Sequence, residues 1–346
     1  MVEGPLDRTS RILVVLVVPA KSSNGSARPA LTHRMRSMSD ASVVIVNYRT
    51  ADLTVAAAAS ALAAGASEVV IVDNASGDEI RRRVDTLQSP RVRICMNTEN
   101  EGFGAAANRG AREATTGFLV FLNSDAELSA DALVTMSDEA AQWSGRALVG
   151  PRLIGPAGDV QHSAGLLPGP VDLAIRALGL HAVGTRISAV PGLGRMLDRT
   201  EVASQYKSAR TASGPINTTM VSGACIAIGR EAFDDLGGFD ERFFMYFEDA
   251  DLCRRAATAG IPVRYVPSAL VAHAGGASSS EDYHFSPIYA RSMRQYLGKW
   301  YGPGGTGLVL LLLWIRVLGF TVTSRPRARR AWRALLAAVR DEDPRA

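Results

Sequence analysis

Ser42-Val43-Val44-Ile45-Val46-Asn47-Tyr48, an Ala- and Leu-rich stretch over 51–64, and Glu68-Val69-Val70-Ile71-Val72-Asp73-Asn74 decide the fold. Each outer piece is a short continuous apolar run that ends in polar residues. That is the pattern of a parallel strand buried on both faces. The stretch between them reads as a helix that stops at Gly65. Strand, helix and strand in about 30 residues make a βαβ unit.

The pattern continues outward. A third strand over 91–96 is followed by Asn100-Glu101-Gly102-Phe103-Gly104 and a small-residue helix over 105–114. A fourth strand over 118–122 ends at Asn123-Ser124-Asp125, and a helix over 129–143 leads to a fifth strand over 147–150. In an open α/β sheet, ligands sit beyond the carboxyl ends of the strands. Here three strand ends carry acids or amides, which turn chemistry alone does not require. Residues 155–217 are rich in Gly, Pro and Ser and read as a variable insertion with local helix. Order returns with a strand over 220–228, a short helix, and Gly237-Gly238-Phe239-Asp240. Two strand-like pieces, 263–266 and 270–273, follow a helix ending at Gly260.

The stretch Phe243-Phe244-Met245-Tyr246-Phe247-Glu248-Asp249-Ala250-Asp251-Leu252 sets three carboxylates directly behind aromatic residues. Carboxylates on apolar surface are costly unless paired or used. Helical periodicity starts right after them, so they fall at a helix N-terminus, where negative charge suits the dipole. By themselves, Glu248 and Asp249 read equally well as plain helix caps.

Composition narrows the class. The 346 residues are 47% apolar and 21% charged, with a net charge of +4, which fits a globular chain. Part of that charge lies in the C-terminal tail, and no basic run interleaved with aromatics occurs elsewhere, which argues against nucleic acid as a partner. Three scattered cysteines without metal-ligand spacing read as reduced thiols. Arg8 and Arg11 precede the apolar run over 12–18, which resembles a signal-peptide core but is too short to span a bilayer. Residues 1–40 read as an extension without fold, with Met35 or Met38 as an alternative natural start. Near the other end, the apolar run over 308–315 is broken by Arg316 and followed by Arg325, Arg327, Arg329, Arg330 and Arg333. An apolar segment before a basic amphipathic helix suits an anionic membrane surface. A core helix followed by a solvated basic one is the alternative.

In order along residues 42–280, these motifs resemble the inverting family 2 glycosyltransferases of the GT-A fold, and within them the bacterial rhamnosyltransferase branch. The resemblance implies one Rossmann-like mixed sheet flanked by helices, over 41–285. A nucleotide-sugar half would span 41–150, an insertion 155–217 and an acceptor half 218–285, with apolar and basic helices over 286–346. It implies that Asn47, Tyr48, Asp73, Asn74, Asn100, Gly102, Asn108, Arg109, Asn123 and Asp125 bind the nucleotide sugar. Asn123-Ser124-Asp125 occupies the family's DxD metal motif, with Asn at its first position. Asp125 and His273 would then hold Mg²⁺ or Mn²⁺, hard oxygen donors suiting both and imidazole favouring Mn²⁺. The second acid of the Glu-Asp pair is the family's base, which assigns Asp249 to catalysis with Glu248 in support. Asp251 is left to pair or cap within its helix.

The implied reaction moves rhamnose from dTDP-rhamnose to a hydroxyl of a glycan or polyprenyl-linked acceptor. It would run in cell-envelope polysaccharide synthesis, on the cytoplasmic face of the membrane. A UDP-hexose or UDP-galactofuranose donor is the alternative within the family. A non-catalytic membrane adaptor is the alternative of another class. A dinucleotide oxidoreductase is disfavoured by the lack of G-x-G-x-x-G after the first strand.

Overall fold

Nine strands form one mixed sheet in which β1 (Ala41–Asn47), an interior strand, is the apolar run quoted first. The structure, a computed structural model, describes residues 40–170, 211–275 and 286–323, with 173, 209, 332 and 336 besides. The N-terminal extension, most of the insertion and nearly all of the basic C-terminal helix lie outside the described residues.

β1 is flanked in parallel by β2 (Glu68–Asp73) on one side and β4 (Phe118–Asn123) on the other, and β2 by β3 (Val92–Met96). Beyond β4 the order runs β10 (Cys225–Gly229), β6 (Leu148–Ile154), β11 (Val263–His273) and β5 (Ala126–Leu128). β8 (Ile216–Thr218) pairs with β11, and β7 (Ala164–Gly165) with β9 (Met220–Val221) forms a separate small sheet. The chain moves in opposite directions across the sheet from β1, so its carboxyl end is a topological switch point. Asn47 lies opposite Asp73, and Val46 opposite Asn123, so these strand ends share one edge.

Side chains alternate between two cores. Val43, Ile45, Val69, Ile71 and Val120 meet the small residues of α1 (Ala51–Ala63) and Leu133 and Met136 of α4 (Ala132–Ala141). α2 (Ile80–Val84) adds Ile80 and Val84 to that face. Val44, Val70, Val72, Leu119 and Phe121 meet α3 (Phe103–Glu113), α5 (Arg230–Asp235) and α6 (Glu248–Thr258). This two-sided burial is why the strands read as continuous apolar runs. α3 lies so close to β1 that a Cβ on Gly110 would stand 2.4 Å from Val44.

Several sequence expectations change. The strand over 220–228 is two strands, β9 and β10, in different sheets, separated by the turn at Ser222, Gly223 and Ala224. The pieces 263–266 and 270–273 are one strand, β11, whose register shifts between Val266 and Leu270, where Pro267 cannot donate to the ladder. The strand over 147–150 continues to Ile154. β5 is three residues long, too short for alternation to announce it.

The last described element, α7 (Pro287–Thr323), is divided by non-helical backbone at Gly302, ahead of Pro303. Its first half joins a third cluster, in which Met293, Tyr296 and Leu297 meet Phe243, Phe247 and Ala250. Its second half leaves Leu308, Leu311, Trp314 and Ile315 about half exposed. Among the described residues, no helix is long and apolar enough to cross a membrane.

Candidate active site

At the end of β1, Asn47 is fully buried and its amide is spent within the protein. It donates to Asp73 Oδ1 at 2.8 Å, Ser76 Oγ at 2.9 Å and Asp78 Oδ1 at 3.0 Å, and accepts from Thr54 at 2.8 Å. Asp78 in turn accepts the Ala51 N–H at the start of α1, 3.0 Å away. Tyr48, beside them, is exposed, with the Arg49 guanidinium 5.1 Å from its ring centre.

Asn74 donates to Asn100 Oδ1 at 2.6 Å and accepts from Asn97 at 2.9 Å and the Glu101 amide at 3.1 Å. Arg109 donates to the Met96 carbonyl at 3.1 Å and to Asn97. Asn108 faces the other way. Its amide brackets Phe239, accepting from the N–H at 2.8 Å and donating to the carbonyl at 2.9 Å, so it holds the 238–241 loop. Gly102 has φ +87°, and a Cβ there would stand 2.3 Å from the Phe244 carbonyl oxygen, so no side chain fits. The Phe103 N–H donates to that carbonyl at 2.8 Å, which ties the start of α3 to the aromatic stretch.

At the end of β4, Thr50 donates to Ser124 at 3.0 Å, joining the β1–α1 turn to the Asn-Ser-Asp motif. Asp125 is buried, and its Oδ1 lies 3.4 Å from Nε2 of His273, the last residue of β11. The pairing of β11 with β5 brings them together, setting His273 opposite Ala126. This donor set suits a divalent cation. A hard carboxylate oxygen and an imidazole nitrogen stand at about the spacing of adjacent ligands that are each about 2.1 Å from one ion. Among the described residues, no group of three or more His, Cys, Asp or Glu gathers to hold an ion. Gln161 contacts the other side of the His273 ring: its Oε1 is 2.7 Å from Nδ1, and its Nε2 donates to the His273 carbonyl at 2.9 Å. Sequence reading missed Gln161, because a single amide in a Gly-rich stretch forms no pattern.

The acid pair opens α6. Tyr246 and Phe247 precede it with φ of +72° and +69°, a left-handed pair that costs non-glycine residues about 1 kcal/mol or more each. α7 holds this bend. Ser292 donates to the Met245 carbonyl at 2.7 Å, and the Tyr289 ring packs 5.6 Å from Tyr246 and 5.1 Å from Phe247. Asp249 accepts the N–H of Gly223 at 2.9 Å and of Ala250 at 2.8 Å. Burial raises its carboxyl above the ordinary value, and these amides oppose the rise. Glu248 is buried with one oxygen unpartnered among the described residues, and burial together with the neighbouring Asp249 charge pushes it up to about 8.

Asp251 is fully buried and paired. It meets Arg255 at 2.7 Å, Lys299 at 2.6 Å and the Trp300 indole N–H at 2.8 Å. Lys299 also reaches Asp240 at 2.8 Å, which Arg242 clamps as well. Burial alone would raise Asp240, but these cations hold it well below the usual carboxylate range. Lys299, 48 residues from Asp251 along the chain, was invisible to motif spacing.

The acid pair and the Asn-Ser-Asp motif meet through one turn. The Asn123 N–H donates to the Ala224 carbonyl at 3.0 Å, and the adjoining Gly223 holds Asp249. A switch-point sheet with a carboxylate–imidazole pair on one side of this turn and an acid pair on the other defines a GT-A sugar-transfer fold. Solved structures share that fold. A GalNAc-T7 structure with UDP, GalNAc and Mn²⁺ superposes with a TM-score of 0.51 at 17% identity, over 76% of this chain and 48% of that one. The mannosyltransferase PcManGT from Pyrobaculum calidifontis, in complex with GDP-Man and Mn²⁺, gives 0.50 at 16% identity over 88% of each chain.

The chain belongs to glycosyl transferase family 2, whose profile matches residues 42–237, more than half of its length. A second profile, glycosyl transferase family group 2, matches 183–339. A curated relative, the N-acetylglucosaminyl-diphospho-decaprenol L-rhamnosyltransferase of Mycobacterium tuberculosis, is 30% identical over 68% of this chain and 77% of its own. The low-salt glycan biosynthesis hexosyltransferase Agl10 of Haloferax volcanii is 24% identical over 65% of this chain and 64% of its own.

Proposed function

We propose that this glycosyltransferase moves rhamnose from dTDP-rhamnose to a hydroxyl of a polyprenyl-diphosphate-linked sugar, with inversion, in cell-envelope glycan synthesis. The observation that carries the reading is the shared turn. Gly223 holds Asp249 while Ala224 holds Asn123, so one turn supports both the acid and the Asn-Ser-Asp motif. The mycobacterial relative's acceptor class and sugar support the choice of substrates.

Asp249 accepts the proton of the attacking acceptor hydroxyl. That oxygen bonds to the anomeric carbon as the bond to the diphosphate breaks, and the nucleoside diphosphate leaves. A carboxylate with a raised pKa, fixed by two backbone N–H groups, is suited to this task. Glu248, with its unpartnered oxygen, hydrogen-bonds the acceptor sugar. Tyr48 and Asp73 contact the nucleotide, backed by Asn47, Asn74, Asn100, Gly102 and Arg109. Asp125 and His273 hold Mg²⁺ or Mn²⁺, which when bound neutralises charge developing on the leaving diphosphate. The half-exposed Leu308, Leu311, Trp314 and Ile315 of α7 rest on the cytoplasmic membrane surface, where a lipid-linked acceptor would be presented.

Melting temperatures with a panel of nucleotide sugars, with Mg²⁺ or Mn²⁺, test the donor. A ligand of the native state raises Tm. A rise with dTDP-rhamnose above that with UDP-hexoses or UDP-galactofuranose is expected, and equal shifts would remove the rhamnose assignment.

A further inference from the structure

We infer that Gln161 is a positioning residue: it fixes the tautomer of His273 so that the free lone pair of the ring points at Asp125. The inference rests on the reading of Asp125 and His273 as a cation pair.

The backbone delivers Gln161 to this place. It follows β6 on a short return in which the Gln161 N–H donates to the Leu153 carbonyl at 3.0 Å and Ile154 bridges Val160. β6 runs parallel to β11, with Leu153 beside Val271 and Ile154 beside Ala272. The Gln161 side chain therefore arrives next to His273.

Its two contacts place a hydrogen on Nδ1 of the ring. The His273 carbonyl can only accept, so the amide end 2.9 Å from it is the NH₂ group. The other end is then the amide oxygen, 2.7 Å from Nδ1. An amide oxygen also only accepts, so Nδ1 carries the ring hydrogen. A neutral imidazole has one such hydrogen, and Nε2 is left with its lone pair. Nε2 faces the buried Asp125 Oδ1 at 3.4 Å. Two acceptors so placed repel unless a positive charge lies between them. A bound cation supplies it, as a second ring proton on Nε2 would without metal, and with the cation in place both atoms serve as ligands. A hydrogen-bonded partner on the far ring nitrogen is the usual outer support of a metal-binding histidine, typically worth about 10–100-fold in affinity.

The test uses the full-length chain with ¹⁵N-labelled histidine. Its five imidazoles are resolved by long-range ¹H–¹⁵N spectra without metal, at a pH high enough to leave the rings neutral, and the His273 signal is assigned by its loss in H273N. Mn²⁺ affinity is read separately by electron paramagnetic resonance in the presence of dTDP. The Nδ1–H tautomer is expected in the wild type and in Q161E, which keeps an acceptor oxygen, and a mixture in Q161L. Mn²⁺ affinity should fall about 10–100-fold in Q161L and less in Q161E. An Nε2–H tautomer in the wild type would overturn the inference without involving any metal. So would an unchanged Mn²⁺ affinity in Q161L. If the wild type shows the Nδ1–H tautomer but binds no Mn²⁺, the cation reading itself fails and takes this role of Gln161 with it.

Discussion

At the ends of β1, β2 and β3, polar side chains are matched to one another. Asn47, Asp73, Ser76 and Asp78 close a hydrogen-bonded group, and Asn74, Asn97 and Asn100 close a second. At the start of α6 the opposite holds. A buried carboxyl, Glu248, adjoins the partly buried Asp249, one oxygen of Glu248 has no partner among the described residues, and the preceding Tyr246 and Phe247 adopt left-handed backbone. The first region is a scaffold that a nucleotide can meet without rearranging it. The second stores unfavourable electrostatics and strain, and it persists because α7 clamps it through Ser292, Tyr289 and Lys299. The proposed function assigns the chemistry to the strained region and the recognition to the satisfied one.

Substitutions that keep shape and remove charge break this contrast most sharply. D249N should lower the transfer rate by about 10²–10⁴-fold, the range for a lost general base, with little change in Tm or in donor affinity. Normal turnover by a folded D249N would remove the base assignment. Next in size, D125N or excess EDTA should reduce turnover by about 10²-fold or more, because several kcal/mol of leaving-group stabilisation is lost. Full activity in EDTA would contradict the role of Asp125 and His273.

K299M tests the clamp. It leaves Asp251 with Arg255 and Trp300 but removes the bridge to Asp240. Unfolding free energy should fall by about 2 kcal/mol, the scale of a hydrogen bond to a charged group, as read by denaturant titration. An unchanged midpoint would mean that α7 does not secure the acid loop.

The smallest effect is pH-dependent. Glu248 titrates near 4.5 when unfolded and at about 8 when folded, so the native state holds the extra proton between these values. The stability this contributes is present below the unfolded value and is lost as pH rises through the folded one. E248Q cannot ionise, so its Tm should gain on the wild type by a few degrees between pH 5 and pH 8.5. Parallel melting curves would show that Glu248 is not held neutral.

The scaffold was the legible part. Val43 to Val46 and Val69 to Val72 announce buried strands because both of their faces meet helices. Asn47, Asp73, Asn123 and Asp125 stand out because polar residues interrupt apolar runs at fixed places, and the acid pair because it opens a periodic helix. What escaped notice depends on distant partners. Gln161 and Lys299 gain meaning only through His273 and Asp251, which lie 112 and 48 residues away along the chain. Asn108, read as a pocket residue, has its amide turned to Phe239, an orientation that helical periodicity does not report. The break between β9 and β10 was hidden because Val221 and Cys225 are both apolar and only Gly223 marks the turn. That turn is the one that supports Asp249.

In the proposed function, transfer is a single displacement at the anomeric carbon with Asp249 as its base. Proton NMR of the product, made from a donor of known anomeric configuration, tests it most directly. Complete inversion at that carbon is expected. Retention would contradict it, since one displacement from the face opposite the leaving group cannot give it.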